Sequence, residues 1–164
     1  MILGMPPFTL LHTLISLVGI LTGAIVMWGL IKNEYGKGLT LTFLVMTIAT
    51  SVTGFLFFLP IVKFLPSHAV GTLSLIILAI ALYALYAGRL AGSSRWIYVV
   101  TAVAAQYFNV FVLVVQLFLK VPALHELAPQ QSEPPFVITQ AVVLVAYIVV
   151  GFLGVKRFHP PAPV

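Results

Sequence analysis

The sequence predicts an all-α membrane protein, a single five-transmembrane-helix bundle over the whole chain, with the N-terminus outside and the C-terminus cytoplasmic. Three observations carry this reading. Only 7% of the 164 residues are charged and 62% are apolar, whereas a soluble domain carries roughly 25% charged residues, so there is too little polar surface to cover a globule in water. Five apolar stretches each reach the roughly 20 residues a helix needs to cross a hydrocarbon core about 30 Å thick, where every backbone amide must be satisfied internally. Lys and Arg gather on one side of those stretches, the side that stays cytoplasmic.

The first stretch covers residues 8–31. No basic residue precedes it, it is too long for a signal peptide, and no small-residue cleavage site follows before Lys32, so it is expected to remain as a span. The second, 39–62, is interrupted near its end by Pro60, and Pro66 with Ser67 opens the third, 68–88, so these two form a tight hairpin. The fourth covers 96–119 and the fifth 136–155. Lys32, Lys37, Arg89, Arg95, Lys156 and Arg157 fall on one side, against Lys63 and Lys120 on the other. The longest loop, 121–135, is then external and carries Glu126 and Glu133. An odd number of spans without an internal repeat argues against two inverted halves of a transporter.

The same composition closes off several functions. The net charge of +5 comes from scattered single and paired basic residues, with no stripe of the kind nucleic acid requires. Cysteine is absent, which removes disulfides, thiolate-ligated metals and thiolate catalysis. There is no aspartate and no Glu lies within a span, so intramembrane aspartyl chemistry, a Ser-His-Asp triad and a carboxylate-driven proton pump lack their parts. No Gly-rich phosphate loop occurs. His125, Glu126, Leu127, Ala128 and Pro129 resemble the start of a zincin motif, but the second His is missing and Pro129 breaks the helix the motif needs. A non-enzymatic role is the expectation, with the lipid bilayer and other membrane proteins as partners.

Each span carries one stripe of polar or small residues at helical spacing, the side turned from lipid. These are His12, Ser16, Gly19 and Gly23; Thr47, Thr50, Ser51 and Gly54; His68 and Thr72, with Tyr83 and Tyr86 lower down; Gln106, Asn109, Gln116 and Lys120; and Gln140, Tyr147, Gly151 and Gly154. As helix contacts alone such stripes are ordinary, since small residues permit close approach and amides bond across helices. Depth adds something. His12 lies 20 residues from Lys32, His68 21 from Arg89 and Gln116 21 from Arg95. At 1.5 Å per residue each sits about 30 Å from the inner face. They meet in one layer just inside the outer boundary, with Gln140 roughly a turn deeper.

Ionisable residues within a membrane are functional candidates by default. His12 and His68 are suited to be the two axial ligands of haem b, or to hold a transition metal to which His125 and Glu126 would add ligands if the loop folded inward. Gly19, Gly54 or Gly71 would make room for a flat ring, and Lys63 or Lys120 would pair with propionates. Asn109, Gln116 and Gln140 complete the candidate ligand-binding set. A quinone or lipid-like molecule fits this layer about as well, with Phe55, Phe57, Phe58, Phe108 and Phe111 beside a ring. An aqueous pore along Gln106, Asn109, Gln116 and Ser51 would be packed shut by the aliphatics between them. His159, among the prolines of the tail, is read as solvated. The alternative to a ligand site is a membrane subunit or assembly factor whose stripes only hold helices together.

The stretch Gln106 to Gln116 (QYFNVFVLVVQ), followed by KVPAL at 120–124 and QSEPPF at 131–136, resembles a family of small polytopic bacterial membrane proteins. The likeness extends through 67–71 and 50–55, most of the chain, and implies a bacterial inner-membrane location without implying an activity. In layout, a His at a span entry followed by small residues is also similar to transmembrane b-type cytochromes. With one His pair available, that similarity implies at most a single haem.

Overall fold

The computed structural model describes residues 6–56 and 66–160, so Phe57, Phe58, Pro60 and Lys63 lie outside it. The helices are α1 (Pro7–Lys32), α2 (Lys37–Leu56), α3 (Pro66–Leu82), α4 (Ser93–Lys120), α5 (Pro122–Leu127) and α6 (Pro134–Arg157), and α3 runs on into a π-helical turn at Tyr83–Ala87. Among the described residues, five helices are long and apolar enough to cross a membrane, α3 with its π turn counting as one. The expected spans fall on these five, up to Leu56 for the second. The short α5 and the π turn were not anticipated.

Local chemistry sets the ends. Pro stands in the first turn of α1, α5 and α6, where its missing N–H has no intrahelical partner to lose. At the other end of α1, Asn33 takes the left-handed conformation (φ 61°) that closes a helix C-terminus. Arg89, Leu90 and Gly92 also have positive φ (47°, 54° and 50°) and turn the chain sharply from the π turn into α4. The 121–135 loop is ordered by its own amides: Glu133 accepts from the backbone N–H of Gln130 (3.1 Å) and of Ser132 (3.0 Å). Desolvation opposes ionisation of Glu133, but these backbone donors outweigh it and hold its carboxyl below the usual carboxylate range.

Around the bundle α1 packs on α2, α2 on α3, α3 on α4, α4 on α6 and α6 on α1, with α4 leaning in to touch α1 as well. Alternation of direction brings Lys32, Lys37, Arg89, Arg95, Lys156 and Arg157 to one end, which defines a basic half. The half carrying His12 and His68 is the histidine half. The basic half holds the main apolar core. Leu30, Phe43, Leu44, Leu78, Leu85, Tyr98, Val99 and Phe158 are each 2% exposed or less. Gly154 lets α6 close on Val99 and Leu30. Its end is clamped by Arg95, which donates to the carbonyls of Val155 (2.9 Å) and Phe158 (2.8 Å), and the backbone N–H of His159 bonds Asn33 Oδ1 (2.6 Å). Trp28, Tyr83, Tyr86 and Trp96 lie exposed around this half, with the Lys32 ammonium 5.0 Å over the Trp28 ring, as side chains at a membrane–water boundary do.

The histidine half is built differently. Its apolar cluster is small, Val114, Phe118 and Ala128 with Leu124, Phe136 and Val143 against them, and joins α4 to α5 and α6. Gln131 ties the loop to α4 by donating to the Val115 carbonyl (2.8 Å). The side of α4 facing α1 and α2 at this level carries amides instead.

Candidate functional site

At about 100° per residue, Thr47, Thr50 and Gly54 of α2 share one face, while Thr53 turns to one side of it and Phe55 to the other. His12 of α1 meets Thr53, with Nδ1 2.7 Å from Oγ1. The Thr53 hydroxyl donates to the Ala49 carbonyl (2.7 Å), so its oxygen accepts and His12 carries the proton on Nδ1. Nε2 then holds the lone pair. His68 of α3, 2% exposed, stacks on the Phe55 ring, centroids 5.6 Å apart and planes 9° from parallel. Both histidines therefore pack against the last turns of α2. Their partners stand roughly 200° apart around that helix, so the imidazoles approach α2 from different sides.

The amides divide. Gln106 is fully buried and donates from Nε2 to the Ile20 carbonyl of α1 (2.8 Å). Asn109 donates to Thr47 Oγ1 (3.0 Å) and Gln140 to the Phe111 carbonyl (3.2 Å). Each of these amides thus holds two helices together through its NH2 group, and the buried oxygens of Gln106 and Gln140 accept no bond among the described residues. Gln116, expected to face inward, is exposed. It shares a face with Asn109, but α4 at this height buries Val114 and Phe118 on another side, against α5 and α6. One stripe of α4 thus runs from buried Gln106 through half-buried Asn109 to exposed Gln116.

The glycines expected to accommodate a ring are not equivalent. A Cβ on Gly71 would press on the Phe55 ring (3.0 Å), and one on Gly19 would meet Met46 Cβ (3.4 Å). On Gly54 it would meet, among the described residues, only His12 Cε1 at 3.9 Å. Among the described residues Gly54 is thus the least crowded of the three, and at Gly71 Phe55 occupies the place. The four-ligand metal site is not assembled: no three His or Glu residues gather among the described residues, and His125 and Glu126 are exposed on α5, whose inward side is taken by Leu124. His159 is exposed, as expected.

Sequence reasoning did not single out Thr53 as the partner of His12, because a threonine in a span ordinarily returns its hydroxyl to its own helix, as Thr13, Ser16, Ser51 and Thr72 do here. The legible signal was its place three residues after Thr50 and next to Gly54. In comparisons with family models, curated proteins and solved structures, nothing matches this chain. Its function has to be argued from the geometry.

Proposed function

We propose that this chain is a multi-pass protein of a bacterial inner membrane, N-terminus outside and C-terminus cytoplasmic, that binds an amphipathic ring-headed ligand such as a quinone in its histidine half without catalysing a reaction. The observation that supports this most is the loose contact at Gly54, whose nearest described neighbour is His12 Cε1 at 3.9 Å, beside the His12–Thr53 pair. A ligand with an oxygen-bearing head and an apolar body matches a few convergent polar groups in an otherwise apolar wall. Lys120, at the end of α4, is near enough to act on His12 electrostatically, and it favours a head of negative or carbonyl character. Organic extraction of the purified protein, followed by mass spectrometry, should recover such a molecule in near-equal amount to the chain. His12→Ala should lose it. Recovery of bulk phospholipid alone from both proteins counts against the reading.

Haem b or a metal on His12 is a second reading, favoured by one specific feature. A metal-ligating His usually has its other ring nitrogen bonded to an acceptor that fixes the tautomer, as Thr53 does for His12. The absorption spectrum separates the two, because a Soret band that disappears in His12→Ala or His68→Ala belongs to haem and not to a quinone. The third reading, a subunit or assembly factor, draws support from α6, which buries only Gly154 and leaves Val142, Ile148 and Phe152 exposed at 63%, 61% and 67%.

A further inference from the structure

We propose that the corner of the basic end where α2 begins and the π turn closes binds the phosphodiester headgroup of an anionic membrane phospholipid, through Tyr35, Lys37, Tyr86 and Arg89. This corner lies at the opposite end of the bundle from the histidines. Charge is divided unevenly between the two ends. The basic end carries six Lys and Arg against one carboxylate, Glu34, whereas the sequence at the histidine end sets Lys63 and Lys120 against Glu126 and Glu133 and balances. The whole net charge of +5 therefore gathers at one membrane boundary. Trp28, Tyr83, Tyr86 and Trp96 stand exposed around it, at the level where aromatic side chains meet lipid headgroups. An anionic headgroup is the ligand such a field collects.

Four of the six cations are accounted for by the fold. Lys32, Lys156 and Arg157 lie in the last turns of α1 and α6, where the carbonyl end of a helix favours positive charge, and Lys32 also covers the Trp28 ring. Arg95 bonds the carbonyls of Val155 and Phe158. Lys37 and Arg89 are left. Lys37 is the first residue of α2, the end at which the helix's own field disfavours a cation, and no acidic residue stands in that first turn to offset it. Arg89 is exposed and holds a left-handed φ of 47°, a conformation that costs a residue with a side chain. Neither forms an ion pair among the described residues.

The topology brings these two cations to one corner. α2 and α3 pack side by side in opposite directions, so the start of α2 meets the end of the π turn. Two phenols belong to the same corner. Tyr35, two residues before Lys37, is half-buried; burial first, and then the nearby Tyr86, push its phenol up, so it stays protonated and able to donate. Tyr86, three residues before Arg89, is 49% exposed. Neither hydroxyl bonds another described residue. Two cations and two O–H donors without an acceptor of their own suit the non-bridging oxygens of a phosphodiester, which only accept.

Native mass spectrometry of the delipidated full-length protein, titrated with phosphatidylglycerol or with phosphatidylcholine of the same acyl chains, tests this. The first phosphatidylglycerol should bind roughly tenfold more tightly than the first phosphatidylcholine, as two cations beside an anionic headgroup supply. Lys37→Gln with Arg89→Gln should reduce that preference to about twofold or less. Lys156→Gln with Arg157→Gln removes the same charge from the same end and should leave most of it. Tyr35→Phe with Tyr86→Phe should weaken both lipids alike, by roughly fivefold, because both carry a phosphodiester. Equal affinity for the two lipids in the parent protein overturns the proposal. So does a Lys37→Gln, Arg89→Gln protein that keeps the full preference, or a Lys156→Gln, Arg157→Gln protein that loses as much. Displacement of the lipid by the soluble headgroup glycerophosphoglycerol makes the corner a site for a free anion and overturns the lipid assignment. If the first double variant fails to fold, Arg89→Gln alone decides, with a fall in preference of about threefold expected and no fall contradicting.

Discussion

Glycine means opposite things at two levels of this bundle. At Gly23 a side chain would run into the Gln106 amide and the Phe43 ring, and at Gly154 into Val99 Cγ1 at 2.9 Å, whereas at Gly54 it would find a single described neighbour at ordinary contact distance. Lipid tails are as apolar as leucine, so nothing squeezes membrane helices together except close packing and interhelical hydrogen bonds. Where the helices must be held, small residues let them touch. The basic half is built that way. In the histidine half Gly71 is packed too, against the Phe55 ring, and Gly54 alone among the described positions there has its nearest neighbour, His12 Cε1, as far off as 3.9 Å.

That contrast can be broken most sharply at Gly23. Gly23→Leu should cost about 3 kcal/mol or more by overpacking, read as a large fall in melting temperature in detergent, while Gly54→Leu should lower melting far less, by no more than the stabilisation the lost ligand supplied. Equal losses at the two sites would remove the distinction. Aromatic truncations should follow the same order. Phe43→Ala should cost about 3 kcal/mol through the cavity it leaves, and half-buried Phe55→Ala less than half of that, by chemical unfolding. Arg95→Ala removes two charge-assisted bonds to the end of α6, a loss of about 2 kcal/mol. It should also speed proteolysis of the C-terminal segment before any effect on the histidine half.

The smallest effect belongs to the loop. The folded-state pKa of Glu133 is depressed, so its contribution is complete above the ordinary carboxylate range and is lost as pH falls through and below that range. Glu133→Gln should therefore lower melting slightly at neutral pH and by less at strongly acid pH. An equal decrement at both pH values would show that the backbone contacts do not depend on the charge.

How far the sequence could be read depended on the kind of signal. Span positions were legible because the bilayer imposes a length and a composition, and the five helices fall where apolar stretches and terminal prolines place them. The π turn at Tyr83–Ala87 was not, since no residue type marks an extra residue in a helical turn. Helical spacing found the polar stripes, including Gln106 and Asn109. It could not tell that α4 rotates its buried side toward α5 and α6 near Val114 and Phe118, which uncovers Gln116. Counting depth brought His12 and His68 to the same turns of α2, but depth says nothing of direction around a helix, and Thr53 and Phe55 stand on different sides of it.

The central claim is that a ligand binds beside His12 and Gly54. The most direct measurement is the amount of extractable ring-headed molecule per chain in the parent protein and in Gly54→Leu, paired with the melting temperature of each. A molecule present at near one per chain in the parent and lost in a Gly54→Leu protein that stays folded, its melting lowered no further than removing the molecule lowers the parent's, is the result predicted. A parent protein that yields none, or a Gly54→Leu variant that retains it in full, contradicts the account.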